Sequence, residues 1–161
     1  MRLIYATVVA SLLTAPAWGQ QAATPNRPAA TSYVSAADIV ALAAKLGNDK
    51  NAFQSIIRLA PYNVSIEHRV ALQGASIHER EAELFYVIDG SGTVVTGGTL
   101  VDAKRTNPEN LSGDRITGGT SQKVTKGDFV LVPEGVPHWF SEINGVLTLM
   151  SLHLPRPALA K

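Results

Sequence analysis

The segment Gly127-Asp128-Phe129-Val130-Leu131-Val132-Pro133-Glu134-Gly135-Val136-Pro137-His138 puts a histidine at a fixed distance beyond a short apolar run, an arrangement suited to delivering a metal ligand on a rigid turn. Phe129 to Val132 is apolar and β-prone. Pro133 then removes a ladder donor and Gly135 permits a backbone angle closed to other residues, so the strand must end there. Pro137 restricts Val136 to extended geometry, and His138 therefore starts the returning strand in a set direction, with Trp139 and Phe140 beside it to exclude water. One histidine does not make a metal site, so partner donors must come from elsewhere.

The spacing from Gly127 through Pro133 and Gly135 to His138 resembles the second motif of the cupin superfamily, in which that histidine binds a metal. The pattern usually continues to an Asn, and Glu142 stands there instead. A first motif is expected upstream, and Glu83 followed by Gly90 fits its second half. Counting back from Glu83 puts His78 at the second histidine position and Ser76 at the first, so one ligand is missing. Taking His78 as the first histidine would put the cation Arg80 in a ligand position. The resemblance covers roughly Phe53 to Pro155. It implies His78, Glu83 and His138 as metal ligands inside an all-β, cupin-type jelly-roll barrel, and a homodimer. A barrel that has lost its metal and keeps both histidines as interior hydrogen-bonding groups is the competing expectation, and Ser76 is its support.

Two imidazoles and one carboxylate also make chemical sense without the family, because they leave several positions of an octahedral ion open to a substrate or dioxygen. The donor types suit a divalent iron, manganese, zinc, nickel or copper ion and do not choose among them. Glu81 is a rival carboxylate, set aside because it falls in the expected turn and misses the spacing to Gly90.

Met1-Arg2, the apolar run Leu3 to Leu13, and the small residues Ala15-Pro16-Ala17-Trp18-Gly19 read as a signal peptide over 1–19, which makes the mature protein secreted or periplasmic. The run is too short for a membrane span, so no membrane association is expected after cleavage. The chain of 161 residues has no cysteine, so no disulfide supports it. With 14 Lys and Arg against 13 Asp and Glu, scattered and without a basic run, nucleic acid is not an expected partner.

Residues 20–34 lack an apolar period and read as a flexible tether, followed by a single domain over 35–161. Ser35 with Asp38, then Ile39, Val40, Leu42, Ala43 and Leu46, predicts a helix over 36–46. From about 53 to 155 short β-prone runs alternate with turn residues, as in a barrel. The strands are expected over Phe53–Leu59, Val64–Leu72, Ala75–His78, Glu83–Ile88, Gly92–Thr96, Thr99–Asp102, Ser121–Val124, Asp128–Val132, His138–Ser141 and Val146–Leu154. Two Thr-Gly-Gly-Thr tetrads, at Gly97-Gly98 and Gly118-Gly119, predict tight hairpin turns.

Alternation puts Gly74, Ser76 and His78 on one strand face and Glu83, Phe85 and Val87 on another. His68 would point inward with Val64 and Ile66, as a core histidine bonded to a neighbour or as a replacement for the ligand lost at Ser76, while His153, alternating with Leu147, Leu149 and Ser151, could reach the same interior but is expected to pack. Lys104 to Arg115 has neither period and reads as a loop, an ordinary exposed connection first and a functional lid second. Tyr86, Trp139 and Phe140 could shape an aromatic pocket.

Two functional classes follow. In the first, a metal-dependent enzyme acts on a small organic substrate by oxygenase, isomerase or lyase-type chemistry, with Tyr86, Glu81 and His68 as candidates for catalytic proton transfer. In the second, a cupin module binds a metal or small molecule without turnover, since one fold hosts unrelated functions. A three-ligand site leaves room for reaction and favours the enzyme.

Overall fold

The structure, a computed structural model, describes residues 31–47 and 49–156. The signal peptide read over 1–19, and the tether as far as residue 30, lie outside the described residues. Ser35 caps the helix as its sequence requires: its Oγ accepts from the Asp38 N–H at 3.1 Å, and α1 runs over Ala36–Lys45. The strands that follow are β1 (Ala52–Leu59), β2 (Tyr62–Arg69), β3 (Ala75–His78), β4 (Glu81–Asp89), β5 (Ser91–Thr96), β6 (Thr99–Val101), β7 (Lys104–Asn107), β8 (Asn110–Gly113), β9 (Arg115–Thr117), β10 (Thr120–Thr125), β11 (Phe129–Val132), β12 (His138–Ile143) and β13 (Leu147–Pro155). Two antiparallel sheets form a jelly roll, one ordered β1-β2-β13-β4-β11 and the other β10-β5-β12-β3-β8-β7, with a separate β6-β9 pair.

Both Thr-Gly-Gly-Thr tetrads take the positive φ expected of them, 75° and 72° at Gly97 and Gly98 and 71° and 84° at Gly118 and Gly119, but neither closes a hairpin: β5 pairs with β10 and β6 with β9, so the two tetrads lie opposite each other as a break between two ladders. The stretch Lys104 to Arg115 differs from expectation. It is not a loop but the hairpin of β7 and β8 plus the start of β9, and β8 pairs with β3 from Ala75↔Gly113 to His78↔Asn110. Its strands escaped notice because β7 is polar and exposed throughout, so no alternation marks it.

Strand faces decide what enters the barrel. Cross-strand partners share a face, and the register aligns His153, Ser151 and Leu149 of β13 with Glu83, Phe85 and Val87 of β4, and with Asn63, Ser65 and Glu67 of β2. Phe85, Val87 and Leu149 belong to the buried inter-sheet cluster with Val94, Val132, Phe140 and Leu147, so this is the inner face. Val64, Ile66 and His68 therefore point outward, the reverse of the predicted orientation. Ile66 is nonetheless 0% exposed, because the outer face of this sheet is itself covered there. The second sheet repeats the inversion at the same end. Ser76, His78, Asn110, Ser112 and His138 face inward, whereas Ala75, Ile77, Leu111, Val95 and Trp139 lie on the outside against Leu100 and Ile116 of the β6-β9 pair. One end of the barrel is thus filled with hydrocarbon and the other is lined with polar groups.

Removing the Phe85 ring, which meets the Phe140 ring edge-on at 5.3 Å, should cost about 3–5 kcal/mol. Leu131→Ala, at an exposed side chain, should change stability by less than about 0.5 kcal/mol. Urea unfolding of Phe85→Ala and Leu131→Ala checks both; similar losses at the two positions would contradict this division of the core.

Candidate metal centre

The site is built around the Glu83 carboxylate, which is 4% exposed on the second inward position of β4. Its Oε2 lies 3.2 Å from His78 Nε2 and 3.1 Å from His138 Nε2. Its Oε1 lies 3.3 Å from His153 Nε2 and accepts a hydrogen bond from Ser151 Oγ at 2.5 Å. The ligand set implied by the sequence, His78, Glu83 and His138, is therefore brought together. Among the described residues, His78, Glu83 and His153 each offer a donor atom within 4.8 Å of the others. His138 stands at the edge of this group, in contact with the same carboxylate.

Local chemistry explains how the chain reaches this arrangement. Pro133 and Gly135 end β11, with Gly135 at φ 75°, and the Gly135 N–H donates to the His78 carbonyl at 2.7 Å. The turn that delivers His138 is thereby tied to the strand that carries His78. His138 pairs with Ser76 across β3, which fixes its depth. A second tie joins the Glu79 N–H to the Glu109 carbonyl at 2.8 Å, and the Arg105 guanidinium grips Glu79 at 2.8 and 3.0 Å, anchoring the β7-β8 hairpin below His78.

Each imidazole has its outer nitrogen beside an oxygen acceptor. His78 Nδ1 lies 2.9 Å from Asn110 Oδ1, His138 Nδ1 3.3 Å from the Val136 carbonyl, and His153 Nδ1 2.7 Å from Glu81 Oε1. Carbonyl and carboxylate oxygens only accept, so in each ring the Nδ1–H donates outward and Nε2 faces the centre, the tautomer and orientation a metal ligand needs. Nε2 lone pairs aimed at a carboxylate repel it unless the rings are protonated or a cation stands among them. The donor set therefore fits a divalent ion, with two to three imidazoles and one carboxylate.

The other sequence candidates separate clearly. His153, expected to pack, lies in the donor cluster, one sheet away from the position of the lost ligand at Ser76. Its alternation with Ser151 and Leu149 places it on the inner face, as the sequence indicates; what the structure changes is its role, from packing to a contact with Glu83. Glu81 is the first residue of β4 and not part of a turn; it shares Glu83's face and holds His153, with His78 Nδ1 3.8 Å away. His68 is on the outer face, 3.1 Å from Thr148 Oγ1, and cannot replace the ligand. Tyr86 also points outward, pairing its ring with Phe129 at 4.7 Å, so neither residue reaches a substrate at the centre. Asn110 was missed altogether as a partner of His78. A cleft of about 490 Å³ opens beside the cluster, bounded by Arg69, Ser76, Ser112, His138 and Phe140.

Electrostatics follow from this crowding. Burial works to raise the Glu83 pKa, but hydrogen bonds from His138, His153 and His78 outweigh it and hold the carboxyl far below its ordinary 4.5. Burial works to lower His153, yet its hydrogen bond to Glu83 and the charges of Glu83 and Glu81 push it up to about 9; His78 is raised for similar reasons. A raised histidine contributes stability that is complete below its unfolded value of 6.5 and is lost as pH rises through about 9. The depressed Glu83 contributes stability that is present above 4.5 and declines as pH falls below it. Chelator-treated protein should therefore unfold at its highest temperature between pH 4.5 and 6.5 and lose Tm toward pH 9. Scanning calorimetry across that range checks it, and a Tm that rises from pH 6.5 to 9 would refute the coupling.

No curated protein sequence matches the chain. Among solved structures it is similar to TT1209 from Thermus thermophilus, with TM-score 0.53 and 16% identity over 73% of this chain and 95% of that one. It is also similar to KdgF from Halomonas sp., with TM-score 0.50 and 16% identity over 66% of this chain and 80% of that one. At such identity these likenesses bear on the fold alone. A family model described as Cupin matches residues 46–152, which include His78, Glu83 and His138 and stop one residue short of His153. With well over half of its length matched, the chain belongs to the cupin family.

Proposed function

We propose that this protein is an exported, metal-dependent cupin enzyme acting on a small organic molecule. The observation that carries the reading is the convergence of three imidazole Nε2 atoms on one buried carboxylate, each ring turned by an outward Nδ1–H contact. His78, Glu83 and His153 would hold the ion, with His138 as a further donor. When bound, a divalent ion supplies Lewis acidity toward a carbonyl or hydroxyl of the substrate, or a place for dioxygen if it is iron. The chain's own part is to orient the donors, keep bulk water from them, and leave one side open. The cleft meets this group at His138, beside Ser76, where a small hydroxyl stands in place of a ligand. Export is supported by the charged start, apolar run and small-residue exit of residues 1–19. Storage or capture without turnover uses the same donors and differs only in its product.

Two measurements test this. Metal content of protein from its native host, with calorimetric titration of chelated protein by zinc, manganese, iron, nickel and copper salts, should show one ion per chain. His78→Ala and His153→Ala should each lower affinity by more than about a hundredfold, and Glu81→Ala, which frees the His153 ring, by about 10–100-fold. His68→Ala should leave it unchanged. Retained affinity in His153→Ala together with loss in His138→Ala would return the ligand set to His78, Glu83 and His138. Incubating loaded protein with enols, keto acids and phenols, with and without dioxygen, then separates the classes: an enzyme consumes one of them, and a binding module saturates without product.

A further inference from the structure

The inner face of β2 is not accounted for by the metal donors. Asn63, Ser65, Glu67 and Arg69 all point into the barrel, while Val64 and Ile66 of the same strand point out. A strand that served only to close a hydrophobic core would do the reverse, because buried polar groups need partners and add little net stability. Ser65 Oγ is fully buried and has no hydrogen-bond partner among the described residues. Arg69 is the cation of this row, with a side chain 14% exposed. Its guanidinium carbon lies 4.7 Å over the Phe140 ring, and Nε and Nη2 both donate to the same Glu67 oxygen. Stacking and tethering fix the plane of the guanidinium. Nη1 has no hydrogen-bond partner among the described residues, and Arg69 lines the cleft that His138 and Ser76 also line.

We propose that Arg69 is the docking group for the carboxylate of a small organic acid, bound in the cleft between Arg69 and His138. Glu67 and Phe140 occupy Nε, Nη2 and one face of the guanidinium, and leave Nη1 to give an anion a charge-assisted hydrogen bond. Ser76 and Ser112 put hydroxyls on the same wall for the acid's remaining oxygens. Lys104, Asp102 and Asp114 also border the cleft, and all three are exposed. Glu67 offsets the charge of Arg69, and what the row still offers an anion is the Nη1–H. The inference rests on the metal reading only for the far end of the acid, which the cleft brings to His138.

Zinc-loaded and chelator-treated protein should be titrated calorimetrically with acetate, glycolate, pyruvate, malate and gluconate, with the uncharged amide of each, and with inorganic phosphate. At least one acid should bind and its amide should not. The Glu67→Gln/Arg69→Gln double variant, which removes both charges so that neither is left unpaired, should weaken that acid at least about tenfold with metal content unchanged. Arg69→Lys should keep part of the affinity, and in the wild type the guanidinium NMR signal of Arg69 should shift on adding the acid, which needs no variant to fold. Absence of binding by every acid, equal binding of the amides, tighter binding of phosphate than of any acid, or an indifferent double variant would each overturn the proposal. Protein that takes up no metal but still binds the acid through Arg69 defeats the metal reading and leaves this one standing. Protein that holds metal but ignores Arg69 does the opposite.

Discussion

A carboxylate withdrawn from water must be matched by donors or it will not stay ionised, and Glu83 is matched from four directions. His78 and His138 approach one oxygen, His153 and Ser151 the other. Each of these histidines is held in turn: His78 by Asn110, His138 by the Val136 carbonyl, His153 by Glu81. The positions of β3, β4, β8, β12 and β13 are thus mutually determined through one buried anion. Removing any one support leaves a polar group unpaired in a medium of low dielectric, where the loss is larger than at the surface.

Much of this was legible in the sequence. The turn from Pro133 to His138 and the capped helix at Ser35 follow from residue types whose backbone or side-chain demands are local, and the gathering of His78, Glu83 and His138 follows from the resemblance to the cupin motifs. The inner row of β2 was misplaced for one reason. Alternation tells which residues share a face but not which face is inside, and at the site end the apolar residues turn outward. Val64 and Ile66 therefore drew His68 toward the interior on paper, whereas the true inner row was Glu67 and Arg69. The β7-β8 hairpin was lost for another reason: short polar strands carry no period, and Asn110 gains its role only through pairing with β3.

The barrel accordingly divides its labour along its length. Phe85, Val87, Val94, Val124, Val132, Phe140, Leu147 and Leu149 fill one end with interlocked hydrocarbon, while the other trades that cohesion for polar groups and a cleft. Phe140 belongs to both regions, packing against Phe85 on one side and carrying Arg69 on the other. The apolar end sets the spacing of the two sheets, and that spacing lets donors from opposite walls meet.

Glu83 and His153 belong to the five-stranded sheet, and His78 and His138 to the six-stranded one. Their meeting is a rivet through the sandwich at the end where little grease holds the walls together. Whatever loosens that rivet, whether acid, alkali or a competing chelator, should let the mouth of the barrel gape while the hydrocarbon end stays shut, so the two ends of one small domain need not come apart together.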